Sequence, residues 1–363
     1  MGLEFEKIAA LEDVARELNA SGLRWAVTNG LGGYPDSIGR DLDLIIEGSL
    51  NVAVGHVIKV LESAGWVVLP NRQGWIWWIV AFRESSDGSL ISLQVDLFKH
   101  LQWAFTWVVD KVGNKEDLIR RGPFYEDPEA AVGKRFMLHA LSTGVTQFRE
   151  KPTYLDFSER ELAVLPSLLT RLSGRHWPEI VKAVSSKDLT LLKSELVSFR
   201  RRCFLKAIWT KRPIARLASA FQKQWVVNLF PRQGAPVIEL TSGDDGESLK
   251  LLEKITEEFR KLVYQDVRVV EDSPQKKARH WCRLSCLQVV LVFANTPVPA
   301  GLKAEITVAR DENDQIYWKS QGLDSRSNLE STKNLKVFLL NFFKKKSSIL
   351  KQRYSSVIRA ARY

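Results

Sequence analysis

The stretch WAVTNGLGGYPDSIGRDLDLIIE, residues 25–47, constrains the chain more than any other. Residues 24–28 alternate and include β-branched types, which predicts a short strand. Gly30, Gly32, Gly33 and Pro35 follow, residue types suited to tight or left-handed backbone, and predict a turn. A second strand is expected from Asp41, through Asp-Leu-Asp-Leu-Ile-Ile. Side chains alternate along a strand, so Asp41 and Asp43 share one face and Leu42 and Leu44 the other. Neighbouring carboxylates on one face repel each other. A cation between them removes that cost, and hard oxygen ligands suit Mg²⁺ or Mn²⁺.

A third acid extends the pattern. Residues 74–82 and 90–98 are apolar, aromatic-rich arms, separated by Arg83-Glu84-Ser85-Ser86-Asp87-Gly88-Ser89. This is a hairpin signal. Asp96 interrupts the second arm, and an acid inside an apolar strand is costly unless paired or metal-bound. If that arm lies beside the Asp41 strand, three carboxylates converge. The tryptophans Trp75, Trp77 and Trp78 alternate imperfectly. Stacking a base or sugar is one use for them; filling a sheet core is the commoner one. Arg83 is either a phosphate contact or a solvent-facing strand residue.

Together, the glycine-rich turn, the Asp-x-Asp at a strand start and the distant Asp96 resemble the polymerase-β-type nucleotidyltransferase superfamily. The wider stretch, with Asn29-Gly30, Leu31-Gly32-Gly33-Tyr34-Pro35, Gly39 and Arg40-Asp41-Leu42-Asp43, is similar to a bacterial subgroup. That subgroup is associated with lipopolysaccharide and capsule gene clusters. Its members often fuse such a domain to a thymidylate-kinase-like P-loop domain. The resemblance covers roughly the first third of the chain. It implies an NTP substrate and Mg²⁺ (or Mn²⁺) held by Asp41, Asp43 and Asp96, which are also the expected catalytic residues. It places Asn29, Gly30, Gly32, Gly33 and Arg40 on the nucleotide side. A helix after the third acid is expected to bring basic residues to the triphosphate, with Lys134 and Arg135 as candidates. The implied setting is cell-surface polysaccharide assembly at the cytoplasmic face of the membrane. Leu31 departs from the pattern, because the superfamily has a small or polar residue there to hold phosphate.

A length of 363 residues suggests two or three domains. No run is long and apolar enough to span a bilayer, and the first residues lack a signal-peptide pattern. The three cysteines, Cys203, Cys282 and Cys286, argue against a disulfide framework and for a reducing compartment. Cys282, Cys286 and His280 lack a fourth metal ligand. Charge is uneven: residues 1–150 carry 15 Lys+Arg and 20 Asp+Glu, the remainder 38 and 22. A basic back half suits an anionic partner, whether membrane headgroups, nucleic acid or a phosphorylated substrate, or is simply a solvated surface.

The expected fold class is α/β (α+β), and its order is helix (4–19), two strands, helix (51–63), strand (66–69) and hairpin. That order describes a mixed sheet with flanking helices. Residues 1–150 form the expected nucleotidyltransferase-like domain. Residues 120–128 read as a linker and 129–141 as a helix. Residues 151–235 read as a basic helical connector, with helices at 159–172, 177–184 and 189–208. Within it, residues 171–235 hold 14 Lys+Arg against 3 Asp+Glu.

Residues 236–363 read as a third unit. A short strand at 237–240 runs into Thr241-Ser242-Gly243-Asp244-Asp245-Gly246-Glu247-Ser248-Leu249-Lys250 and then a helix. This resembles a worn thymidylate-kinase-like P-loop. Leu249 stands where the phosphate-binding lysine belongs, and acids crowd the place of the phosphates. The expectation is a degenerate kinase fold without kinase chemistry. Further strands are expected at 265–270, 285–293 and 304–309. Residues 333–363 hold 9 Lys+Arg and no acid. There Leu335, Phe338, Leu339, Phe342 and Phe343 line one helical face, suited to an anionic membrane surface or to docking within the chain. No RNA-binding motif is recognisable.

Two kinds of function follow. One is an Mg²⁺-dependent nucleotidyltransferase acting on a hydroxyl or phosphate acceptor, with RNA or an antibiotic as alternative acceptors. The other is an inactive nucleotide-binding or scaffolding protein, which Leu31 favours.

Overall fold

The strands that carry the acids are apolar on one face and carry the polar side chains on the other, and the structure buries both faces. The computed structural model describes residues 2–39, 41–73, 76–103, 106–140, 157–208 and 332–355. Between 237 and 326 it describes six strands and positions 253, 257, 262, 298 and 304.

The first sheet is built from β1 (Arg24–Asn29), β2 (Asp41–Glu47), β3 (Val67–Gln73), β4 (Ile76–Glu84) and β5 (Leu90–Phe98), with β8 (Ile119–Arg121) and β9 (Phe124–Glu126). Its order is β3-β4-β5-β2-β1-β9-β8. β2 runs parallel to β5 and β1 parallel to β9; the other neighbours are antiparallel. β6 (Leu101–Trp103) and β7 (Thr106–Val109) form a separate small hairpin.

Alternation sorts the core into two layers. On one face, α1 (Gly2–Ala20) and α2 (Leu50–Ser63) bring Leu11, Val14, Leu18, Val54 and Leu61 against Leu42, Leu44 and Ile46. On the other, Ala26, Ile45 and Phe98 pack with α3 (Pro128–Ala140), α4 (Glu159–Ser173), α5 (Pro178–Ser185) and α6 (Leu189–Ile208). Asp41 and Asp43 alternate with Leu42 and Leu44, so they lie on the α3 side. Helices α4 to α6 of the expected connector therefore share a core with the sheet. The first of these helices starts where Ser158 and Glu161 form a capping box and stops at Gly174 in left-handed backbone.

The helices, strands and mixed sheet agree with the expected α/β class. Two local expectations change. The linker-like residues 120–128 overlap β8 and contain β9, a hairpin that extends the sheet beside β1. Its strands have three residues each, too few to show alternation. The strand expected at 66–69 continues to Gln73 through Pro70, which β3 tolerates because it is an edge strand.

The basic helix expected near the end is α7 (Thr332–Arg353), and it lies along that edge. Phe343 stacks on Phe82 with ring centroids 3.8 Å apart. Ser347 Oγ donates to the Val68 carbonyl at 2.6 Å, and Tyr354 packs edge-on to Trp77. Phe338, Leu339, Phe342 and Phe343 are all buried. These four residues of the apolar face offered to a membrane in the sequence are thus covered within the chain. The helix also covers the exposed β3 edge, a liability in any open sheet.

The second sheet holds β10 (Val237–Thr241), β11 (Asp266–Val270), β12 (Val289–Ala294), β13 (Ile306–Arg310), β14 (Ile316–Ser320) and β15 (Leu323–Arg326). Its order is β11-β12-β10-β13-β14-β15, with the first four parallel and the last two antiparallel. β14 and β15 were not expected from the sequence. The loop at 242–250, His280, Cys282 and Cys286 lie outside the described residues. No described helix is long and apolar enough to cross a membrane.

Candidate metal centre

Register brings the acids together. β2 and β5 pair with Asp41 opposite Gln94 and Asp43 opposite Asp96. β1 places Asn29 opposite Asp43, and β4 places Trp78 opposite Asp96. One row across the sheet therefore reads Trp78, Asp96, Asp43, Asn29. One carboxylate oxygen from each of Asp41, Asp43 and Asp96 lies within 4.8 Å of the others.

The cluster is dry. Asp43 is 1% exposed and Asp96 9%. Asn29 Nδ2 donates to Asp43 Oδ2 at 3.1 Å, and Gln94 Nε2 donates to Asp96 Oδ1 at 2.8 Å. Lys134, reaching in from α3, forms an ion pair with Asp43. Burial holds the Asp96 carboxyl well above the usual carboxylate range, and the Asp43 charge adds to this. Lys134 and the Gln94 amide pull it the other way. Burial works to lower Lys134, but Asp43 and Asp96 outweigh it and leave the ammonium above its ordinary value. Three carboxylates thus face one ammonium. This donor set, all oxygen and in excess negative charge, fits a hard divalent cation such as Mg²⁺ or Mn²⁺.

The site residues expected from sequence fall into groups. Asp41, Asp43 and Asp96 converge, and Asn29 and Lys134 join them through Asp43. Lys134 reaches the acids themselves. Gly32 and Gly33 lie exposed in the turn between β1 and β2. Arg40 lies outside the described residues. Arg135 turns away and pairs with Glu161 at 3.1 Å. Arg83 pairs with Glu6 and donates to the Ala64 carbonyl, so its side chain is committed to holding α1 and α2 on the sheet. Leu31 is 3% exposed and belongs to the α1/α2 core. Its side chain serves packing on the far side of the loop, which accounts for an apolar residue at that position.

Of the tryptophans, Trp77 is fully buried in the core. Trp78 is half-buried on the row that carries Asp96, and Trp75 lies outside the described residues. Gln94 was not expected. Its only signal was a second polar residue two places before Asp96 in an apolar strand. Cys203 is buried, which pushes its thiol up to about 12 and makes it a packing residue.

The turn leading to the site needs glycine at one position. Gly30 has φ +112°, and its amide neighbourhood is tight: a Cβ there meets the Asp41 carbonyl oxygen at 2.5 Å. The loop closes where Gly39 N donates to Gly30 O at 3.0 Å. Gly30→Ala is expected to destabilise the chain by about 1–3 kcal/mol or more. Gly32→Ala, where a Cβ meets nothing within 4 Å, is expected to leave stability nearly unchanged. Thermal melts of the two variants side by side check this.

No protein-family model matches the chain, and no curated protein matches it in sequence. Among solved structures it is similar to an antigenic nucleotidyltransferase-like protein from Paracoccidioides brasiliensis. The match has 12% identity and a TM-score of 0.29, and covers 55% of this chain and 93% of that one.

Proposed function

We propose that the chain is a divalent-metal-dependent nucleotidyltransferase that moves a nucleotidyl group from an NTP to a hydroxyl or phosphate acceptor. The observation that carries this is the in-register convergence of Asp41, Asp43 and Asp96 on adjacent parallel strands. Those three side chains would hold the metal, which when bound supplies Lewis-acid stabilisation of the attacking and leaving oxygens. Asn29 keeps Asp43 oriented, and Gln94 does the same for Asp96. Asp96, beside Asp43 in the same row, would also suit acceptance of the proton of an attacking hydroxyl. The turn from Gly30 to Gly33 carries little side chain, which suits close approach of a triphosphate. Trp78, beside Asp96 on the same face, suits contact with the acceptor.

The sequence resemblance adds a setting in cell-surface polysaccharide assembly, at the cytoplasmic face of a membrane. An RNA or antibiotic acceptor would use the same chemistry. In the second sheet, the parallel order β11-β12-β10-β13 supports a kinase-like α/β unit. The missing phosphate-binding lysine supports its being degenerate.

A second reading, nucleotide binding without turnover, is favoured by one observation: Lys134 already neutralises Asp43 from within the chain.

Calorimetry with NTP and Mg²⁺ on wild type and on Asp41→Asn/Asp43→Asn tests the nucleotide site that both readings share. Mg²⁺-dependent binding that vanishes in the variant is the expected result, after which an acceptor screen tests turnover. Binding untouched by the substitutions would move the nucleotide elsewhere. No binding of any NTP would overturn the proposal.

A further inference from the structure

We infer that Lys134 is the resident counter-ion of the three-aspartate site. A divalent cation must displace it from Asp43, and the freed ammonium then receives the phosphates of the donor. The inference rests on the metal reading above.

The geometry gives the reason. The Lys134 and Asp43 side chains are 12% and 2% exposed, so the pair is shielded from water. A buried ion pair is costly to break from one side, because the abandoned charge stays desolvated. A cation entering the cluster meets Asp43 already occupied, and so binds weakly by itself. It also leaves an ammonium in a half-dry pocket without a carboxylate. An anion delivered to that ammonium removes the cost. Cation and polyphosphate therefore assist each other through one side chain, and the assistance is reciprocal.

The exchange needs no movement of α3. Asp127 caps the helix, accepting from Ala130 N at 2.9 Å, and Arg135 ties its next residue to Glu161. Lysine swings on a flexible four-carbon stem, so the ammonium moves while the helix stays.

The test uses the full chain, with Mn²⁺ alone as the first probe. Calorimetry on wild type, Lys134→Met and Lys134→Arg compares affinities. Lys134→Met is expected to bind Mn²⁺ at least about tenfold more tightly than wild type. Lys134→Arg, which keeps the charge, is expected to stay weak.

A second measurement uses wild type only, so it stands if Lys134→Met fails to fold. Amine labelling at Lys134, read by mass spectrometry, is expected to rise with Mn²⁺. It should fall again when inorganic tripolyphosphate is added with Mn²⁺ kept in excess. Equal or weaker Mn²⁺ binding by Lys134→Met, or labelling that Mn²⁺ does not change, overturns the exchange and leaves the metal reading standing. Labelling that tripolyphosphate does not lower overturns the coupling to phosphate. Mn²⁺ binding by neither protein overturns the metal reading and this inference with it.

Discussion

Asp96→Asn is expected to stabilise the metal-free chain while destroying its hold on divalent cations. The two effects have one cause. Asp96 is buried beside Asp43, with Asp41 close by, and its carboxyl is held well above the usual range. Folding therefore shifts Asp96 toward its neutral form relative to the unfolded chain. Below the ordinary carboxylate range, Asp96 is protonated whether the chain is folded or not, and its contribution to stability is fully present. That contribution is lost as pH rises from the ordinary range through the raised folded value. Asparagine is neutral at every pH and still offers an oxygen to Gln94. Wild type should lose stability across that window, and the variant should not. Near neutral pH the gain is expected to be about 0.5–2 kcal/mol. Loss of a ligand should weaken Mn²⁺ binding about a hundredfold or more. Denaturant titrations across pH, with and without Mn²⁺, read both effects. Parallel pH profiles for wild type and variant would sink the electrostatic account.

Phe343→Ala should act on a part of the chain far from it in sequence. Phe343 is fully buried, and its ring lies flat on Phe82 of β4. Removing it leaves a cavity between α7 and the β3 edge. The expected cost is about 3–5 kcal/mol, the range for truncating a buried aromatic. The loss should appear as faster amide exchange in β3 and β4, because α7 is what covers that edge. Ser347 reinforces the point, since its hydroxyl bonds to a carbonyl 279 residues away. Unchanged protection in β3 and β4 would show that α7 does not support the sheet.

The aspartate cluster was legible because its signals are local. Asp-x-Asp at a strand start fixes a face by alternation alone. Asp96 stood out because an acid in an apolar strand needs a partner. The glycine turn was legible for the same reason: backbone conformation is set by neighbours in sequence. The helices α2, α4 and α6 followed from their apolar spacing.

Tertiary structure decided what those faces meet. The apolar stripe of α7 required burial, but burial is non-directional, and nothing local distinguished a membrane from the β3 edge. The linker-like β8–β9 hairpin became part of the sheet through pairing with β1, a long-range event that three-residue strands do not announce. Arg83 and Arg135 carried the same charge as Lys134, yet Glu6 and Glu161 claimed them. Lys134 alone of these three was brought to Asp43, because α3 packs on the face to which alternation had already sent the acids. Sequence determined which groups would be expensive to bury; only the fold determined which of them would be buried together.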